Sequence, residues 1–145
     1  MPLRLAIPAV AAPLAVLAPC SVAAGGHGAA VYAEHCAACH GARLEGQPEW
    51  QTPKPDGSFP APPHDETGHT WHHGDRLLAD YIARGGAAVL AEAGVTGFVS
   101  AMPAFGELLD AEDIAAVLAY IKSTWPPHIQ EIQRARTAAE AFEGN

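Results

Sequence analysis

The sequence predicts a small all-α domain. Apolar residues recur at helical spacing in separate stretches, most clearly from Ala111 to Trp125. No segment shows the strict alternation of a half-buried strand. The stretch from Gly46 to Gly68 carries Pro48, Pro53, Pro55, Pro60, Pro62 and Pro63, which excludes a regular helix or central strand there. A chain of 145 residues is the length of one domain.

Residues 1–24 read as a secretory signal peptide. Arg4 precedes an apolar run from Leu5 to Ala18, and Val22-Ala23-Ala24 forms a small-residue cleavage site before Gly25. The run is too short for a membrane anchor, and Pro8 and Pro13 interrupt it, so no transmembrane helix is expected in the mature chain. Leu17-Ala18-Pro19-Cys20 loosely resembles a lipoprotein box, with Pro19 a poor fit, and leaves a lipid anchor at Cys20 as the lesser reading. Cleavage makes the protein periplasmic or otherwise exported.

The first helix is expected over Ala29 to Ala38, with Val31, Tyr32 and His35 on one face. After the proline-rich loop, a second helix runs from Gly74 or Asp75 to Arg84. Asp75 is its expected N-cap, Leu77, Leu78, Tyr81 and Ile82 are its stripe, and Gly85-Gly86 ends it. A short helix is expected around Ala87 to Ala93, then a loop from Gly94 to Gly106. Asp110 caps the clearest helix, Ala111 to Trp125. Glu112 and Asp113 stand where its dipole favours negative charge, and Ile114, Val117, Leu118, Ile121 and Trp125 form its apolar stripe. Pro126-Pro127 stops it. Residues 128–145 form a tail, with one more helix expected around Ile129 to Ala141.

Charge narrows the partners. Eight Lys and Arg against 16 Asp and Glu give a net charge of −8, which argues against nucleic acid and anionic membrane surfaces. The chain is 49% hydrophobic but only 7% aromatic. A core so poor in large side chains is marginal unless something else fills it.

The three cysteines indicate what does. Cys20 leaves with the signal, and Cys36-Ala37-Ala38-Cys39-His40 is the attachment pattern for haem c. Two thiols one helical turn apart can bond to the two vinyl-derived carbons on one edge of the macrocycle, and the following His40 can ligate iron beneath it. A zinc site would need more ligands, a thioredoxin-like dithiol would need a βαβ unit, and a plain disulfide would leave His40 unexplained.

These residues resemble the class I c-type cytochromes over residues 25–127. Gly28, Tyr32 and Cys36 stand at that family's Gly–aromatic–Cys spacing, with Tyr32 where Phe is commoner. The resemblance implies a cytochrome c-like helical fold around one covalent haem c. Its first and last helices would cross at the small Gly28, with Tyr120 at the crossing. It also implies a second axial ligand in a loop before the last helix, where Met102-Pro103-Ala104-Phe105-Gly106 lies; a thioether there would favour reduced iron. A proline carbonyl in the family accepts a hydrogen bond from the ligating His. Pro62 is the candidate here, with Pro63 second, although the family usually has an apolar residue near the position of His64.

His64, His69, His72 and His73 are no part of the family pattern. They read either as a copper site or rival iron ligands, or as a polar turn whose rings bond propionates or carboxylates. The polar turn is preferred. His27, His35 and His128 read as surface or packing residues, and Trp50, Trp71 and Trp125 as haem-pocket or core packing rather than an electron path.

The function implied is one-electron transfer rather than catalysis, because two filled axial positions leave no site for substrate. The partner would be a redox protein with a basic docking surface. The alternatives are a peroxidase-like haem enzyme, a copper-binding cytochrome that uses the His64–His73 cluster, and an electron-transfer subunit of a larger oxidase or dehydrogenase.

Overall fold

The computed structural model describes residues 23–143. The expected signal peptide, with Arg4 and Cys20, lies outside them but for Ala23 and Ala24. Among the described residues there are helices and loops and no strand; the sole β feature is an isolated bridge between Ser58 and Val99.

The first helix is longer than expected. Helix α1, Ala23–Val31, continues through a π turn, Tyr32–Cys36, into α2, Ala37–His40. Gly25, Gly26 and Gly28 weaken the local helix signal, which is why the pattern placed the start at Ala29. Packing on the last helix of the domain overrides that propensity. The π turn closes with the Ala37 N–H donating to the Tyr32 carbonyl, and single π turns of this kind recur at functional sites. Gly41, at φ 84°, ends α2.

Helix α3, Asp75–Arg84, matches the expected span, and α4, Gly86–Glu92, nearly does. The cap of α3 differs. Gly74 is the N-cap and Asp75 the first helical residue. The exposed first amides are taken instead by the tail: Thr137 Oγ1 accepts from the Asp75 N–H at 3.1 Å, and Glu140 accepts from the amides of Arg76 at 3.0 Å and Leu77 at 3.3 Å. Asp75 turns its carboxylate to Lys122 and Gln133.

Helix α5, Ala111–Ser123, starts as expected. Asp110 accepts from the amides of Glu112 and Asp113, and Asp113 closes a capping box. It ends before Trp125, because the residue preceding a proline is disfavoured in helical conformation. Trp125 is nevertheless buried. Helix α6, Pro127–Glu143, begins with proline at its first position, where no amide is needed. It packs back over the start of α3 and the 3-10 turn Thr70–His72. Its Gln133, 1% exposed, donates to the His73 carbonyl and to Asp75.

The core gathers Val31, Tyr32, Leu44, Ile82, Leu109, Ile114, Val117, Leu118, Ile121, Trp125 and Ile129. Helix α1 crosses α5 as the resemblance implied. A Cβ on Gly28 would run into the Ala116 carbonyl oxygen and lie 3.0 Å from the Tyr120 Cβ. The rings of Tyr32 and Tyr120 meet at 5.5 Å.

Candidate functional site

The π turn and α2 present Cys36, Cys39 and His40 on little more than one helical turn. Both thiols are free; Cys36 is half-buried and Cys39 exposed. Burial, with Cys39 beside it, pushes the Cys36 thiol up to about 11. His40 is buried. Burial pulls its pKa below the ordinary histidine value, and a hydrogen bond to Pro62 offsets only part of that.

That bond joins His40 Nδ1 to the Pro62 carbonyl oxygen at 2.8 Å. With the carbonyl as acceptor, Nδ1 carries the proton and Nε2 keeps its lone pair. Backbone pairing brings Pro62 to this place. The proline-rich loop folds back so that Gln47 N–H donates to Ala61 O at 2.9 Å and His64 N–H to Leu44 O at 2.8 Å. Beyond His40, the Gly46 N–H donates to the His40 carbonyl at 2.7 Å, and the Tyr32 hydroxyl donates to Gly41 O at 2.9 Å. Tyr32, 2% exposed, therefore ties the core to the end of the motif. No motif flagged this hydroxyl, because its partner is a backbone carbonyl nine residues on, beyond the Cys motif.

Met102 is partly buried against the core. Its loop is pinned to α3 and α4: Met102 O accepts from Gly86 at 3.1 Å, Phe105 N–H donates to Ile82 O at 2.9 Å, and Gly106 N–H donates to Ala83 O at 2.9 Å. Gly85 is needed there, since its φ is +80° and a Cβ would lie 2.8 Å from the Ala104 nitrogen. The ring of Phe105 meets His35 edge-on at 6.2 Å, which joins the Met102 loop to the helix of the Cys motif.

The histidines of the cluster are held in stacked and edge-on ring contacts. His64 bonds Thr70 Oγ1 at 2.7 Å and stacks on His40. Burial, then His40 and His69, hold its pKa well below the ordinary value. His69 stacks on Trp50 and meets His73 edge-on, and His72 stacks on Trp71. Among the described residues, no three His, Cys, Asp or Glu side chains come together as a metal site. His27 pairs with Asp113 at 2.8 Å.

A cleft of about 740 Å³ lies between α3 and α5, lined by Leu77, Ala83, Ile114 and Leu118 under a charged rim. It contains none of Cys36, Cys39, His40 or Met102. No described helix is long and apolar enough to cross a membrane.

The donor set fits a covalent haem c. Two unpaired thiols on one helical turn can form thioethers, and a neutral imidazole anchored at Nδ1 has Nε2 free for iron. No curated protein and no solved structure matches the chain. The family model for cytochrome c matches residues 26–125, from within α1 to Trp125, and stops short of α6. Members of that family carry covalently bound haem c and in general serve as electron carriers, and with most of its length inside the match the chain belongs to the cytochrome c family.

Proposed function

We propose that the protein is an exported, single-haem electron carrier with His40 and Met102 as axial ligands and Cys36 and Cys39 as thioether anchors. When bound, the haem supplies a one-electron ferric/ferrous couple. The chain's own residues do the rest. Cys36 and Cys39 make the attachment irreversible, which suits a compartment without a supply of free cofactor. Pro62 keeps the proton of His40 on Nδ1 and so commits Nε2 to the metal. Met102 offers a soft sulfur from a loop held to α3 and α4, and raises the potential. With His40 and Met102 both holding the iron, no site would remain for a substrate, which disfavours the peroxidase-like alternative. The partner would present a basic docking face to this acidic chain.

The observation that carries this reading is the 2.8 Å bond from the buried His40 to Pro62, found beside two free thiols. Absorption spectroscopy of the matured protein tests it. The ferric protein should show a far-red sulfur-to-iron band, and Met102→Leu should abolish the band and lower the potential. Pigment should stay on the polypeptide through acidified organic solvent in both. A high-spin ferric spectrum in the wild type would overturn Met102 ligation, and released pigment would overturn the thioethers.

A further inference from the structure

The ring of His64 stands against His40, with centroids 4.0 Å apart and planes 20° from parallel. It is held there firmly. Its Nδ1 bonds Thr70 Oγ1 at 2.7 Å, while the backbone N–H of His64 donates to Leu44 O at 2.8 Å and its backbone carbonyl accepts from Trp125 Nε1 at 2.7 Å. Tyr32 meets the same ring edge-on at 6.4 Å. The two constraints on His40 are different in kind. The Pro62 hydrogen bond fixes one atom of the imidazole but leaves the ring free to rock about that contact. A flat, anchored neighbour removes the rocking.

We propose that His64 is a positioning residue for His40: stacked on it and anchored by Thr70, it sets the rotational angle of the His40 ring and so the direction of Nε2. This rests on the reading of His40 as an axial ligand. An aliphatic side chain would fill the same space without imposing a plane, so the identity of residue 64 is a choice of ligand orientation as well as of packing. The Thr70 anchor is part of the device. Without it, the His64 ring can turn about its own side-chain bonds and carry the stacking plane with it.

The test is paramagnetic proton NMR of the ferric holoprotein, in which the spread of the haem methyl shifts reports the orientation of the axial imidazole. His64→Leu should shift the methyl pattern away from wild type, and Thr70→Val should shift it in part. His64→Phe, which restores a flat ring but not the Thr70 bond, should lie nearer wild type than His64→Leu. A purely packing role predicts lower thermal stability in His64→Leu with the wild-type methyl pattern, and that result overturns the proposal. So does a His64→Phe pattern as displaced as that of His64→Leu. If His64→Leu does not mature, Thr70→Val decides alone: an unchanged pattern there overturns the proposal. Failure of the underlying reading looks different, because a wild-type spectrum without resonances of a ligated imidazole would remove His40 from the iron before any variant is compared.

Discussion

Asp75 shows how one side chain can serve three elements. Its carboxylate accepts from Lys122 Nζ of α5 at 2.7 and 2.9 Å and from Gln133 of α6 at 2.7 Å, while its own amide donates to Thr137. Burial raises the pKa of this carboxyl, but Lys122, Gln133 and Thr137 together outweigh it and leave the pKa below the ordinary aspartate value of 3.8. A depressed carboxylate pKa stabilises the fold above the unfolded-state value, and the contribution is lost as pH falls through the folded-state value. Asp75→Asn should therefore be less stable than wild type near neutral pH, and the gap should close as pH drops below about 4. Chemical denaturation at a series of pH values from neutral downward measures it. A gap of constant size would mean that the Asp75 charge has no part in joining α3 to α5 and α6.

The elements that the sequence announced are those with local signals. The stripe of α3 and the Gly85-Gly86 stop marked both its ends, and Asp110 with Asp113 marked the start of α5. Two features had no local signal. The glycines at the start of α1 argue against a helix until Gly28 is seen lying on Ala116 of α5, and the cap of α3 comes from Glu140, far along the chain. The site divides in the same way. Cys36, Cys39 and His40 are adjacent in sequence, and their chemistry was legible there. Pro62 and Met102 came from family resemblance, and the stack of His64 on His40 depends on a loop folding back through Leu44. The α1–α5 crossing makes a sharp prediction. Gly28→Ala would force the helices apart where backbone carbonyl and not a flexible side chain is the obstacle. Overpacking of this kind costs about 1–3 kcal/mol, enough to show in a denaturant midpoint. Because alanine is the better helix former, a purely local effect would stabilise instead. The sign of the change thus separates a packing role for Gly28 from an accident of composition.

At the scale of the whole molecule, the proposed electron carrier would meet its partners through its charge distribution. The net charge is −8 for the full chain, and loss of Arg4 with the leader would make it more negative. Exposed Glu107, Asp110 and Glu112 follow the Met102 loop directly, with Leu108, 70% exposed, among them. On the proposed reading, exposed acidic side chains beside an exposed apolar one would suit a basic partner, since long-range attraction sets the encounter and an apolar contact holds it. Such steering weakens as salt shortens the Debye length from about 30 Å at 0.01 M to about 8 Å at 0.15 M. Reduction of the ferric holoprotein by a cationic metal complex should therefore slow as salt rises, and reduction by an anionic complex of similar driving force should speed up. Stopped-flow rates across that salt range measure both. Glu107→Gln together with Glu112→Gln should flatten both slopes if electrons enter near the Met102 loop, because a charge far from the point of entry contributes little within a screened field. If the double variant leaves both slopes unchanged while the wild type keeps its opposite trends, the overall charge steers the partner but electrons enter on another face.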